Sequence, residues 1–142
     1  MITFEQLTNA SQKALDDVNK LLAQLSSEEN VISLAYLQRI LKNENIGFFV
    51  AKDDEKIIGM GILALVPVVS GLGARIEDVV IDENYRGKGL GKQLMQKIIE
   101  EARKKNVEYV ELTSRPSRVV ANKLYPALGF RKRETNVYTL DL

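Results

Sequence analysis

The chain has 142 residues, 45% of them hydrophobic and 27% charged, which suits a single folded domain with its own core and excludes a disordered or coiled-coil polypeptide. Its net charge of +1 comes with neither cysteine nor histidine, so disulfide frameworks, the usual zinc sites and Ser-His-Asp or Cys-His catalysis are excluded. Any acid–base chemistry falls to carboxylates, tyrosine, lysine, the α-amino group or ordered water.

In chain order, Ile2 to Leu7 alternates as a short first strand. From Ser11 the apolar residues Leu15, Val18, Leu21, Leu22 and Leu25 recur every three or four positions, which predicts an amphipathic helix. "SSEEN" offers turn and N-cap residues, and a second helix runs through Leu34, Leu37, Ile40 and Leu41 to stop near Asn43. A hairpin follows: a strand through Phe48 to Ala51, a polar turn at Asp53 to Lys56, and a longer strand from Ile57 to Val66. A third strand runs from about Ala74 to Ile81. These strands are apolar on both faces, which predicts a sheet covered on both sides.

The run Ile57 to Ala74 carries no charge over 18 positions, the lower edge of a transmembrane length. Gly59, Gly61, Pro67, Ser70, Gly71 and Gly73 break it, so two buried strands around a turn are expected and no membrane span. The first residues, "MITFEQLT", lack a secretory pattern, and a cytoplasmic location is the expectation. Leu90, Leu94, Ile98 and Ala102 then form one stripe of a helix. "NVEYVELTS" reads as a strand with Val107 and Tyr109 inside, Val119 to Tyr125 as a helix, and "NVYTLDL" as a terminal edge strand that could pair across a homodimer. Charge is uneven: residues 103–142 hold nine cations against four anions, whereas residues 1–58 hold six against nine.

The segment "NYRGKGLGKQL" places Gly87, Gly89 and Gly91 among Arg86, Lys88 and Lys92, between a strand and a helix. Glycines let a backbone approach an anion closely, and the unbonded N–H groups of a helix's first turn bind it. Two nucleotide motifs fail here. A P-loop aligned on Gly91-Lys92 has Arg86 and Gln93 where glycine and Ser/Thr are required, and a dinucleotide fingerprint has Lys92 or Leu94 in place of its last glycine.

Arg86-Gly87-Lys88-Gly89-Leu90-Gly91 resembles the Arg/Gln-x-x-Gly-x-Gly/Ala signature of the GNAT family of acyl-CoA-dependent N-acyltransferases. "ANKLYPALGF", Ala121 to Phe130, resembles that family's later segment with its asparagine, tyrosine and Gly-Phe. The resemblance covers nearly the whole chain and is loosest over the N-terminal helices. It implies one domain over residues 1–142 of the α/β (α+β) class: a central mixed, mostly antiparallel twisted sheet of about six to seven strands, with helices on both faces.

The resemblance also implies roles. The pyrophosphate of acetyl-CoA would lie on the amides of Gly87, Lys88, Gly89, Leu90, Gly91 and Lys92 with help from Arg86. The pantetheine arm would pair with the backbone of Val79, Val80 and Ile81. Asn122 would contact the cofactor, Tyr125 would protonate the departing thiolate, and Glu77 matches the position where many members place a base. Glu77 has a second reading as an ion-pair partner of a residue such as Arg75, and a water-relayed base is a third option. No metal is implied.

Pro126, directly after Tyr125, is expected to end or kink that helix. Without cysteine, direct transfer to an amine in a ternary complex is expected rather than an acyl-enzyme. Arg115, Arg118, Lys123 and Arg131 to Arg133 suit the cofactor phosphates. No stacking aromatics interleave with them, so nucleic acid is not the expected partner. A non-catalytic CoA-binding or sensing module on the same fold is the alternative from another class.

Overall fold

The computed structural model describes residues 1–26 and 30–142. The chain divides into two compact units, Met1–Leu112 and Thr113–Leu142.

The first unit is built on a five-stranded sheet in the order β1-β2-β3-β4-β5. β1 (Ile2–Gln6), β2 (Ile46–Asp53), β3 (Lys56–Val68) and β4 (Gly71–Ile81) pair antiparallel in succession. β5 (Val110–Glu111) lies parallel to β4. The sheet is therefore mixed and mostly antiparallel, as expected, with five strands among the described residues rather than six or seven. The uncharged run forms most of the long β3–β4 hairpin, and no described helix is long and apolar enough to cross a membrane.

Helices cover both faces. α1 (Gln12–Leu25) starts at Ser11, whose hydroxyl accepts from the Ala14 N–H, and α2 (Leu34–Lys42) starts at Ser33, which accepts from the Tyr36 N–H. Part of the anticipated turn at "SSEEN" lies outside the described residues. Asn19 of α1 grips the backbone of Ile32 with both ends of its amide, at 3.1 and 2.8 Å, which fixes the approach to α2. Leu15, Val18, Leu21 and Leu37 then pack on Phe48, Val50, Met60 and Val80.

The opposite face carries α3 (Leu90–Lys104), whose stripe Leu90, Leu94, Ile98 and Ala102 is buried as its spacing requires, together with Met95. Burying side chains of this size stabilises by about 1.5–3 kcal/mol each. Contact is close because Gly61 of β3 has no side chain: a Cβ there would stand 2.6 Å from Ile98 Cδ1 and 3.3 Å from Val79 Cγ2. Gly61→Ala is expected to destabilise the fold by about 1–2 kcal/mol through overpacking. In a thermal melt this appears as a fall of roughly 5 °C.

β5 differs from expectation. The strand proper is Val110 and Glu111, preceded by a Glu108 N–H that donates to the Leu72 carbonyl and a Tyr109 carbonyl that accepts from the Ala74 N–H, and the Tyr109 side chain is half exposed rather than inside. Its ring lies across Gly73, where a Cβ would collide with the ring. The missing side chain makes the seat for the tyrosine.

In the second unit, α4 (Val119–Ala127) contains Pro126 and ends one residue beyond it. Proline removes one intrahelical bond, and the turn closes instead through the Leu128 N–H to the Leu124 and Tyr125 carbonyls and the Phe130 N–H to the Tyr125 carbonyl. "NVYTLDL" forms no strand: Val137, Tyr138, Leu140 and Leu142 are exposed and no described strand pairs with them. Alternation assigns two faces, but a strand also needs a neighbour to accept its ladder.

Candidate functional site

The anion loop begins where β4 ends. Asp82 is fully buried, with Oδ1 accepting from the Asn84 N–H at 3.0 Å and Oδ2 lying 3.8 Å from the Lys20 ammonium of α1. It caps a single 3₁₀ turn, Glu83–Tyr85, whose first N–H is taken by Gln24 Oε1 at 2.9 Å. Two side chains of α1 thus fix the entrance to the loop. Arg86 fixes it from β4, its Nε donating to the Ile81 carbonyl at 2.9 Å. The guanidinium expected to assist an anion is therefore also a strut under the loop.

Gly87 and Gly89 sit at φ +79° and +76°, and a Cβ at either would meet nothing within 4 Å. Conformation rather than space demands glycine at both positions. Gly89 is the N-cap of α3 and no side chain caps it; the first ladder bond runs from the Gln93 N–H to the Gly89 carbonyl. The N–H groups of Leu90, Gly91 and Lys92 precede that bond, at the positive end of a 15-residue helix dipole. The loop has what a pyrophosphate requires, and its charge is supplied by backbone geometry rather than by one side chain.

Beside the loop, β4 presents an open edge. β5 pairs with it only at Ala74 and Arg75, so Ile76 to Ile81 have β3 on one side and no described strand on the other. The Asp82 N–H turns to the Ile58 carbonyl of β3, so alternation turns Ile81 outward, Val80 back toward Met60, and Val79 outward. An extended chain laid along this edge meets the backbone of Val79 and the N–H of Ile81. The Ile81 carbonyl already serves Arg86, and Val80 contributes its side chain to the core.

The same segment carries a β-bulge. Met60 pairs with Val80 and Ile62 with Glu77, so Gly61 alone faces both Asp78 and Val79. Asp78 takes φ +54°, a left-handed conformation that aspartate tolerates better than most residues. Its side chain is exposed, yet desolvation by the protein around it, then the negative charge of Glu77, raise its pKa above the ordinary aspartate value. Glu77 is held at 2.8 Å by Arg75 Nε, the ion pair that its second reading anticipated. The Asp78 position is not legible in the sequence because a bulge exists only in a register between strands; adjacent acids in an apolar run are its one visible sign.

In the second unit, Tyr125 is buried, its ring edge-on to Phe130 with centroids 6.0 Å apart. Asn122 donates both amide hydrogens, to the Arg115 and Arg118 carbonyls at 2.8 Å each. It closes the turn leading into α4, which leaves its carbonyl oxygen as the group for any ligand. Among the described residues no three carboxylates gather as a metal site.

The family model described as acetyltransferase (GNAT) family matches residues 14–130. An uncharacterised N-acetyltransferase of Methanocaldococcus jannaschii is 30% identical over 103 residues, which cover 70% of this chain and 45% of that protein. A glucosamine 6-phosphate N-acetyltransferase of Trypanosoma brucei brucei is 38% identical over 90 residues, 61% of this chain and 58% of that one. The chain spans less than half the length of the first curated relatives it matches. Among solved structures, an acetyltransferase of Trypanosoma brucei superposes with a TM-score of 0.82 at 29% identity, covering 100% of both chains.

Proposed function

Since the chain belongs to the acetyltransferase (GNAT) family, we propose that it is an acyl-CoA-dependent N-acetyltransferase, moving acetyl from acetyl-CoA to a primary amine by direct attack in a ternary complex. The observation that carries the reading is the juxtaposition of an uncapped α3 N-terminus, behind two left-handed glycines, with the open edge of β4. The first receives a pyrophosphate and the second an extended amide-bearing arm. Acetyl-CoA has both, joined to a thioester whose carbonyl exchanges its C–S bond for a C–N bond when an amine attacks.

The chain's own residues move the protons. An alkylammonium must first lose one, and a carboxylate near its ordinary pKa is a poor acceptor for it. Asp78 narrows that gap: desolvation and then the charge of Glu77, which Arg75 places, lift its pKa, and Asp78 takes the proton. On the strength of the sequence motif, Tyr125 returns a proton to the departing thiolate. The fewer cations than anions in residues 1–58 favour a cationic acceptor. The curated relatives named for small amino compounds, glucosamine 6-phosphate and L-2,4-diaminobutyric acid, support a small amine of that kind.

The test is thiol release from acetyl-CoA with purified protein and a panel of amino acids, amino sugars and peptides. Turnover on one class with intersecting double-reciprocal plots, reduced by Tyr125→Phe, is the expected result. Binding of CoA without turnover on any acceptor would instead identify a sensing module. Ping-pong kinetics with an isolable acetyl-protein would sink direct transfer.

A further inference from the structure

We propose that Tyr85 and Asp53 form a positioning clamp that holds the anion loop in its binding conformation. The inference rests on the reading of that loop as the acetyl-CoA pyrophosphate site. Tyr85 closes the 3₁₀ turn directly before Arg86, and its phenol donates to Asp53 Oδ2 at 2.7 Å. Asp53 is the last residue of β2, 32 positions away and two strands removed from the end of β4. The bond therefore ties the mouth of the loop to the β2–β3 turn, across the sheet.

The tie is charge-assisted. The Tyr85 hydrogen bond holds the Asp53 carboxyl below the ordinary aspartate range, and the same bond pushes the Tyr85 phenol up. A second contact comes from the ring face: Lys88, between the two left-handed glycines, places its ammonium 5.4 Å from the Tyr85 centroid, and Lys56 of β3 places its own at 5.8 Å. Lys88 is thus drawn back over Tyr85 while its backbone stays in the loop.

A clamp is needed because of what the glycines cost. A segment with glycine at 87, 89 and 91 loses more backbone freedom on ordering than any other, and amides that bind an anion well must be ordered beforehand. Arg86, Asp82 and Gln24 brace the inner side of the loop. Tyr85 reaches from its mouth to the β2–β3 turn and touches the loop's own Lys88.

The experiment is a double-mutant cycle on the full chain with Tyr85→Phe, Asp53→Ala and the pair, read by calorimetric binding of acetyl-CoA and by amide hydrogen exchange of residues 86–92 without ligand. Each single variant is expected to bind acetyl-CoA about fivefold more weakly, as for one lost hydrogen bond. The double variant should be no weaker than either, kcat should stay within about twofold, and Asp53→Asn should recover most of the affinity. Exchange at 86–92 should quicken in the same variants while the protection of β2 and β3 is retained. Wild-type affinity in both single variants, additive losses, or unchanged exchange at 86–92 would each overturn the clamp. If the unmodified protein bound no acetyl-CoA, the reading of the site would fall, and exchange would still decide whether the clamp exists.

Discussion

A Gly89→Val variant is expected to bind acetyl-CoA about a hundredfold more weakly while keeping its fold. Nothing stands within 4 Å of a Cβ at this position, so the substitution meets no clash. It meets φ +76°, where a β-branched residue is strained by about 1–2 kcal/mol or more. The loop relieves that strain by leaving the left-handed region, which rotates the Leu90 peptide away from the anion and spoils the start of the amide cradle. Each charge-assisted hydrogen bond so lost costs about 1.5–3 kcal/mol, and one to two of them give the hundredfold. Calorimetric titration with acetyl-CoA beside a circular dichroism spectrum decides it. Undiminished affinity in a folded Gly89→Val protein would remove the loop from the binding site.

The second large effect belongs to Asp78→Asn, for which we expect kcat to fall about a hundredfold, the lower range for loss of a general base. Asparagine tolerates the same φ and keeps the bulge, so the change isolates the proton-accepting group. The pH dependence gives an independent reading. A base works only when ionised, so activity is lost as pH falls through the pKa of Asp78, which desolvation and Glu77 set above the ordinary aspartate value. Glu77→Gln removes the second cause, so the acid limb of the rate profile should move to lower pH. An acid limb unmoved by Glu77→Gln, with kcat unchanged in Asp78→Asn, would clear the pair of any role. Stability follows the same linkage with its own sign: a carboxyl whose folded pKa is raised lowers stability as pH rises from its unfolded to its folded value. A charge that weakens the fold and is nevertheless placed in an open strand edge has the character of a functional group.

The sequence carried most of the fold because most of it is periodic. The stripe from Leu90 to Ala102 and the one from Leu15 to Leu25 needed only the 3.6-residue repeat to be placed, and the β3–β4 hairpin needed only its glycines and its length. What escaped depends on a partner. The terminal strand expected at "NVYTLDL" lacks a ladder, and Tyr109 moved outward because Gly73, on another strand, offers its ring a seat. The site divides in the same way. Gly87, Gly89 and Gly91 alternate within one short segment and are legible, whereas the bulge at Asp78 is a property of two strands in register, and Tyr85 and Asp53 meet from 32 residues apart with no local mark on either.

The bulge has one more consequence. Along a regular strand, residues an odd number apart face opposite ways, yet Glu77 and Val80 pair with Ile62 and Met60 and so share a face. The bulge absorbs the one extra residue, and this is what lets both halves of β4 stay in phase with β3. Removing a residue at 78 or 79 would restore an even ladder with Glu77 and Val80 still opposite Ile62 and Met60, so both halves of the strand would keep their faces and only the bulge, with its left-handed turn at Asp78, would be lost. In descent, the bulge is the place in β4 where the chain can gain or lose one residue while the faces on either side stay as they are.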